Sequence, residues 1–279
     1  MTGILYIVST PIGNLEDITL RALRVLKEVD IIAAEDTRHS LKLLNHYGIV
    51  KPMISYWKVK EQVRSDTIIQ NLYEGKSVAL ISDAGTPGIA DPGMVVIQKA
   101  IQKEIQVVSV PGPSACIAAL TLAGIKAEEF TFIGFLPAKR TQRQKLLSNL
   151  RLENRILIFY EAPHRILDVL HDMMEYFHGR KIAVVKEISK MHEHVFRGIL
   201  SDVLSEMEET KIAGEYILIV EGRGKEGAVH IDDALQEVNV LMQRGINRKD
   251  AVKRIASAYR LSKRELYEKS IDRLSGTDT

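Results

Sequence analysis

Short apolar runs alternate with amphipathic stretches through the first 124 residues of the chain. The amphipathic stretches have apolar positions three or four residues apart, for example Leu20, Leu23 and Leu26, and this spacing predicts helices. Asn14 and Asp17 are the candidate N-caps of the first of these helices. The apolar runs predict buried strands at Leu5–Ser9, Ile31–Ala34, Met53–Tyr56, Ser77–Ile81 and Gln106–Val110. This alternation predicts an α/β domain at residues 1–124, with a largely parallel sheet covered by helices on both faces.

The pattern changes after Gly124, where the strands become richer in aromatic residues. The predicted strands are Phe130–Phe135, Ile156–Tyr160, Ile182–Lys186, His194–Ile199 and Tyr216–Val220. A basic helix separates the first two strands, and a second helix is predicted at Asp168–Phe177. The segment Lys190–Phe196 is polar and partly alternating, which indicates antiparallel pairing. We therefore predict a second, mixed α/β domain at residues 125–225.

A third module is predicted at residues 229–279, after a glycine-containing linker from Gly222 to Ala228. Helical periodicity covers Ile231–Met242 and Asp250–Tyr259. Ser262, with Glu265 three residues later, has the spacing of a capping box and starts another helix. The helix that ends at Tyr259 and the helix that starts at Ser262 are separated by a tight turn, which favours a helix-turn-helix unit.

Composition narrows the class of protein without identifying a partner. The 279 residues are 46% hydrophobic, and the longest apolar runs are far shorter than the roughly 20 residues of a membrane span. A single cysteine, Cys116, favours a reducing cytoplasm, and the N-terminus enters a strand without a basic region, so no secretory signal is expected. The formal net charge of +2 is too small to indicate nucleic acid by itself.

Candidate ligand loops follow four strands of the first predicted sheet. They are Pro11–Asn14, Glu35–Arg38, Asp83–Gly93 and Pro111–Ala115. Because the carboxyl ends of parallel strands meet at one edge, these loops are expected to converge. Neither GxGxxG nor GxxxxGK[ST] occurs, and the loops carry more carboxylates than basic groups. A cationic or zwitterionic ligand therefore fits better than a nucleoside triphosphate.

The motifs STPIGN, AAEDTR, ISDAGTPGIADPG, VPGPSA, GFLPAKR, FYEAPHR and GEYILIVEG occur in this order. Together they resemble the tetrapyrrole methylase (class III methyltransferase) family, and within it the group that modifies small-subunit ribosomal RNA. The resemblance covers essentially the whole chain. It implies two α/β domains with S-adenosylmethionine in the cleft between them, a homodimer, and methylation of a cytidine 2'-hydroxyl in the decoding region of 16S rRNA.

Two loops depart from the pattern of the wider family. Tetrapyrrole-modifying members carry a GxGPGD-like loop after the first strand and a GDP-type element later. This chain has Thr10–Asn14 (TPIGN) and Ala84–Pro87 (AGTP) at these places. The differences point away from a corrin substrate. A cobalamin-pathway C-methyltransferase and a non-catalytic RNA-binding assembly factor stay open as alternatives.

The resemblance implies a set of cofactor-binding residues. They are Pro11, Asp83, Ala84, Gly85, Ile89, Ser114, Ala115 and Tyr160. For catalysis, a weakly nucleophilic ribose hydroxyl needs orientation and a proton acceptor. We hypothesise that Glu35 or Asp36 serves this purpose and that Arg38 contacts a phosphate; the alternative for this loop is a strand cap with a local ion pair. The other candidate groups are His39, Glu161, Glu187 and Lys190.

Two basic clusters are candidate RNA contacts, because phosphate neutralisation needs such clusters. The first contains Lys139, Arg140, Arg143, Lys145 and Arg151, and the second Arg244, Arg248, Lys249, Lys253, Arg254, Arg260, Lys263 and Arg264. From these we select Lys139, Arg140, Arg143, Arg248, Lys249, Lys263 and Arg264 as the RNA-binding set. The alternative is that both clusters are solvated helix faces. No metal site is expected, because His192 and His194 have no evident third ligand.

Overall fold

The computed structural model describes residues 2–57, 61–223, 231–243, 245–259 and 261–272. The chain divides into two compact units, Met1–Gly222 and Arg223–Thr279. The first unit contains both sheets of the described residues. No helix in these ranges is long and apolar enough to cross a membrane.

The first sheet is parallel throughout, in the order β3-β2-β4-β1-β5. Its strands are β1 (Leu5–Val8), β2 (Ile31–Ala34), β3 (Met53–Ser55), β4 (Val78–Ile81) and β5 (Val107–Val110). The connecting helices are α1 (Leu20–Glu28), α2 (Thr37–His46), α3 (Glu61–Tyr73), α4 (Met94–Gln102) and α5 (Ala115–Leu122). Leu26 and Leu44 pack on one face of the sheet, and Ile68 and Val96 on the other. The predicted parallel sheet with helices on both faces is confirmed.

The start of α1 differs from the prediction. Asn14 caps only a short 3₁₀ turn, Leu15–Asp17, by accepting a hydrogen bond from the backbone N–H of Glu16. Thr19 caps α1 itself, because its hydroxyl accepts from the N–H of Ala22. The prediction of Asp17 as a helix cap was wrong. Its carboxylate instead accepts a 2.5 Å hydrogen bond from the hydroxyl of Ser189.

The second sheet is mixed and mainly antiparallel, in the order β6-β7-β10-β8-β9. Its strands are β6 (Phe130–Phe135), β7 (Ile156–Glu161), β8 (Lys181–Lys186), β9 (His194–Ile199) and β10 (Tyr216–Val220). Only β6 and β7 pair in parallel, so the predicted antiparallel character is confirmed. The helices are α6 (Arg140–Leu150), α7 (Ile166–Met174) and α8 (Leu200–Glu208). The sequence pattern had not predicted α8.

Helices cover the two faces of this second sheet from different parts of the chain. Leu147, Leu170 and Leu204 of α6, α7 and α8 pack on one face. Cys116 and Ala119 of α5 belong to the core on the other face, which also contains Ile12 and residues of β7, β8 and β10. The predicted border at residue 125 lies between α5 and β6, whereas α5 packs on the second sheet. This packing brings the β1 loop and the start of α5 against the second sheet.

The second unit contains α9 (Ile231–Gln243), α10 (Arg248–Tyr259) and α11 (Lys263–Asp272). Its own core includes Leu235, Val252 and Leu266. Ser262 accepts a hydrogen bond from the N–H of Glu265, as the capping-box spacing predicts. Arg244, Arg260 and positions 224–228 of the predicted linker lie outside the described residues.

Candidate active site

The loops after β1 and β4 are joined at the carboxyl edge of the first sheet. Thr10 and Gly85 exchange backbone hydrogen bonds of 2.9 and 3.1 Å. The hydroxyls of Ser9 and Thr86 lie 2.8 Å apart, and Thr10 Oγ1 donates to the carbonyl of Ser82 at 3.2 Å. Gly85 has a φ of +74°, which a residue with a side chain rarely adopts. These contacts hold the two loops as one wall.

Carboxylates from the β2 and β4 ends gather beside this wall. The backbone N–H of Asp36 donates to Asp83 Oδ1 at 3.1 Å, and the N–H of Asp83 donates to Glu35 Oε2 at 3.4 Å. Burial, and then the charge of Asp91, raises the pKa of Glu35 above its ordinary value. Burial raises the pKa of Asp91 as well, and the charge of Asp83 adds to the shift. A bound cation would relieve this repulsion.

Tyr160 of β7, in the second sheet, lies near these carboxylates. Its ring lies edge-on to Phe132 and Phe135, with centroid distances of 5.0 and 5.8 Å. Burial raises the pKa of Tyr160 to about 12, to which the charges of Cys116 and Asp91 also contribute. The phenol therefore stays protonated at neutral pH, next to the carboxylates and the start of α5.

A cleft of about 720 Å³ opens beside the loops after β1 and β5. Its lining includes Ile12, Pro113, Ser114, Ala118, Ile188 and Ser189. Glu35, Asp83, Asp91 and Tyr160 are not part of this lining, although the carboxylates of Asp17 and Glu193 are. Of the predicted cofactor residues, the lining includes Ser114. We place the candidate site at the carboxylates, because the strand ends, perturbed pKa values and Tyr160 coincide there.

The other predicted cofactor residues lie on the same loops with different exposure. Pro11 is half-buried directly after β1, and Ala84 is exposed next to Asp83. Ser114 is the N-cap residue of α5, and Ala115 is the first residue of that helix. Ile89 is 69% exposed on the long loop after β4. The structure thus brings Asp83, Gly85 and Tyr160 into one region and leaves Ile89 facing solvent.

Asp36 and Arg38 form the local ion pair that the sequence left open as an alternative. Asp36 caps α2, and its carboxylate accepts from the backbone N–H and the guanidinium of Arg38 at 2.8 to 3.2 Å. The side-chain hydrogen bond from Arg38 is the main reason that the pKa of Asp36 falls to about 2. So acidic a carboxyl group is a poor proton acceptor, which favours Glu35 over Asp36 as the predicted base.

The first basic cluster offers fewer free charges for RNA contacts than its sequence indicates. Arg143 is buried, and its guanidinium contacts the buried carboxylate of Asp172 at 2.6 Å. Arg140 also binds Asp172, at 2.9 Å, although its side chain is 69% exposed. Lys139 is exposed at the start of α6. The prediction of Arg143 as an RNA contact is corrected, because its charge is neutralised inside the protein.

Sequence reasoning missed a fitted turn between β8 and β9. Glu187 and Ser189 have positive φ angles of 51° and 65°, a strained conformation for residues with side chains. Lys190 Nζ binds Glu187 Oε1 at 2.9 Å and Glu215 Oε2 at 3.0 Å. A Cβ atom on Gly13 would come within 2.8 Å of the carbonyl of Ile188. The turn therefore fits closely against the β1 loop, and only the presence of glycine at position 13 signals this in the sequence.

The chain matches a known family over most of its first unit and a named relative over most of its length. A family model described as Tetrapyrrole (Corrin/Porphyrin) Methylases matches residues 4–204. "Ribosomal RNA small subunit methyltransferase I" of Halalkalibacterium halodurans is 41% identical over 272 residues, covering 95% of this chain and 93% of that protein. The Thermotoga maritima protein with the same name is 44% identical over 221 residues, covering 79% of this chain and 99% of its own.

Solved structures share the fold at low identity. The methyltransferase CobJ superimposes with a TM-score of 0.62 at 18% identity, over 79% of this chain and 95% of its own. Uroporphyrin-III C-methyltransferase from Thermus thermophilus, solved with S-adenosylhomocysteine, gives a TM-score of 0.55 at 17% identity, over 78% and 97%. At such identity these likenesses describe the architecture alone.

Proposed function

The chain belongs to the tetrapyrrole methylase family, and we propose that it methylates the ribose 2'-hydroxyl of a cytidine in the decoding region of 16S rRNA. The observation that carries the proposal is the 41% identity, over 95% of this chain, to a protein named for methylation of small-subunit ribosomal RNA. The solved structures named for uroporphyrin or precorrin chemistry are below 25% identical and support the fold only. S-adenosylmethionine is the methyl donor.

The acidic site suits this cofactor. When bound, S-adenosylmethionine supplies a methyl group activated by a positively charged sulfonium. Glu35, Asp83 and Asp91 supply the negative charge that would hold a cation, and they cluster despite mutual repulsion. Tyr160 offers an aromatic ring and a protonated hydroxyl at the same place. The donor set therefore matches an organic cation better than a polyphosphate.

We assign Glu35 as the base that accepts the proton of the ribose hydroxyl. Its carboxyl is half-buried, and its raised pKa brings it closer to that of a useful base than Asp36, whose pKa is about 2. Catalysis depends more on holding the ribose hydroxyl in line with the methyl group of the cofactor than on accepting its proton. The joined loops after β1 and β4 supply a rigid frame for this alignment. Arg38, exposed at the start of α2, is assigned to a substrate phosphate.

The partner we propose is 16S rRNA, within the small ribosomal subunit, in the cytoplasm. The basic residues assigned to it are the exposed Lys139, Arg140, Lys249, Lys263 and Arg264 and the half-buried Arg248. We further propose that the active protein is a homodimer, which light scattering of the purified chain would establish by its mass.

Methyl transfer from labelled S-adenosylmethionine tests the function directly. The chain would be incubated with 16S rRNA and with small subunits that lack the modification. We expect label in a cytidine, within a dinucleotide that resists alkaline hydrolysis because its 2'-oxygen is methylated. Label only in an added tetrapyrrole would assign C-methylation instead, and RNA binding without transfer would make the chain a non-catalytic assembly factor.

Replacing Asp83 with asparagine is expected to weaken S-adenosylmethionine binding about 10- to 100-fold, because a charged hydrogen-bond partner is lost. Titration calorimetry measures this dissociation constant without requiring catalysis. Asp66→Asn is the matched control, since Asp66 is a mostly exposed carboxylate on α3 paired with Lys99. Equal affinities of wild type and Asp83→Asn would remove Asp83 from the cofactor site.

A further inference from the structure

We propose that the helical unit Arg223–Thr279 is an RNA-docking arm that acts through binding alone and takes no part in methyl transfer. The inference rests on the proposed function, since it requires an RNA substrate. It adds which contacts the arm makes and which step of the reaction cycle depends on them.

The chemistry lies within the first unit. The family match ends at residue 204, and the joined loops, the carboxylates and Tyr160 all precede Gly222. The Thermotoga maritima relative is matched over 99% of its length by 221 residues of this chain. That is one residue fewer than Met1–Gly222, so a relative of the same name has the length of the first unit alone. The helical unit is therefore an addition to a self-sufficient site.

The helical unit also has the means to fold by itself. Its core is made of its own residues from α9, α10 and α11, including Leu235, Val238 and Ile255. Asn247 and Asp250 exchange hydrogen bonds of 2.8 and 2.9 Å at the start of α10. This reciprocal cap occupies the carboxylate of Asp250, and Lys249, Lys253 and Arg254 of α10 are exposed to solvent.

Lys249 and Lys253 form a basic stripe on α10. They are four residues apart and exposed, whereas Ala251, Val252 and Ile255 of the same helix are buried. Among the described residues, neither lysine forms an ion pair with a carboxylate. When such lysines bind RNA phosphates, they displace counterions from the RNA, and the affinity therefore depends on the salt concentration.

The exposed side of α11 combines a charge with an aromatic ring. Lys263 and Tyr267 are four residues apart, and Tyr267 is 40% exposed. Arg264 lies on a different side and pairs with Glu268 at 2.9 Å, so its charge is partly compensated. The major groove of an RNA helix is too narrow for a recognition helix, but an unpaired base stacks on an exposed aromatic ring. We therefore assign Lys249, Lys253 and Lys263 to phosphates and Tyr267 to an unpaired base.

The test is the full-length triple variant Lys249→Gln, Lys253→Gln, Lys263→Gln. We expect the KM for the RNA substrate to rise about 10-fold and the slope of log affinity against log salt to fall by about 2 to 3. The kcat at saturating RNA should stay within about twofold, and the affinity for S-adenosylmethionine should not change. The matched control removes the same charge from the first unit at exposed Lys27, Lys181 and Lys211.

Other results of these measurements would overturn the proposal. An unchanged KM and salt slope in the triple variant, or a loss confined to kcat, overturns the proposal. Weaker binding to small subunits with unchanged binding to purified 16S rRNA also overturns it, because the arm would then contact a ribosomal protein. A chain ending at Gly222 should keep kcat at saturating RNA, and Tyr267→Leu should weaken binding without changing the salt slope. Absence of methyl transfer by the wild type refutes the proposed function instead.

Discussion

Replacing Glu35 with glutamine is expected to lower kcat for methyl transfer about 100- to 1,000-fold, the usual loss for a removed general base. Glutamine keeps an oxygen for the hydrogen bond from the N–H of Asp83, so the loops should stay joined. The measurement is single-turnover transfer to RNA at saturating S-adenosylmethionine. The cofactor affinity, measured separately, should change less than about 10-fold.

Asp36→Asn is the matched control for Glu35→Gln. It neutralises the neighbouring carboxylate, whose pKa of about 2 makes it a poor proton acceptor, and it should cost less than about 10-fold in rate. In the wild type, kcat should fall as pH decreases through the pKa of Glu35, which lies above the ordinary value of 4.5. Wild-type kcat in Glu35→Gln, or a larger loss in Asp36→Asn, would reject Glu35 as the base.

Replacing Asp172 with alanine is expected to lower the free energy of unfolding by about 3 to 5 kcal/mol. Asp172 is 1% exposed and binds the guanidinium groups of Arg143 and Arg140. Without it, the charge of Arg143 is left buried and uncompensated, which costs more than the ion pair itself contributes. Urea unfolding measures the change, and Glu28→Ala, which breaks the exposed pair with Arg24, should cost less than about 1 kcal/mol.

Two further results distinguish this explanation from simple loss of packing. Adding Arg143→Met to Asp172→Ala should restore much of the stability, because the orphaned charge is then gone. Burial alone would raise the pKa of Asp172, but hydrogen bonds from Arg140 and Arg143 outweigh it and hold the pKa below its ordinary value of 3.8. The stability from Asp172 is therefore present above that value and lost as pH falls through the lower folded pKa, and Asp172→Ala should lack this step. An additive double variant would contradict the buried-charge account.

Elements with a local signal could be predicted from the sequence. β2 and β4 are buried at every position and so appear as unbroken apolar runs. By contrast, α8 begins at Leu200, directly after β9 and without a capping side chain among the described residues. Its start was therefore not predicted, although Leu200, Val203, Leu204 and Met207 have helical spacing. The ion pair of Asp36 and Arg38 was foreseeable as an alternative because it joins residues two positions apart.

Contacts between distant parts of the chain explain what the sequence could not predict about the site. Arg143 stands in a segment without acidic residues, and its partner Asp172 is 29 positions away on α7. The perturbed Glu35 and Asp91 meet only because β2 and β4 are neighbours in the sheet. Motifs located the loops, whereas the charge state of each carboxyl group depends on this tertiary packing.

The packing of α5 on the second sheet has a consequence during protein synthesis. Cys116 and Ala119 leave the ribosome about 100 residues before Ile217 and Ile219 of β10, which complete the core that α5 enters. Until β10 is made, this apolar helix has no finished surface to cover. The first unit can therefore close its cofactor site only late in translation, and its two sheets are expected to gain and lose their native structure together.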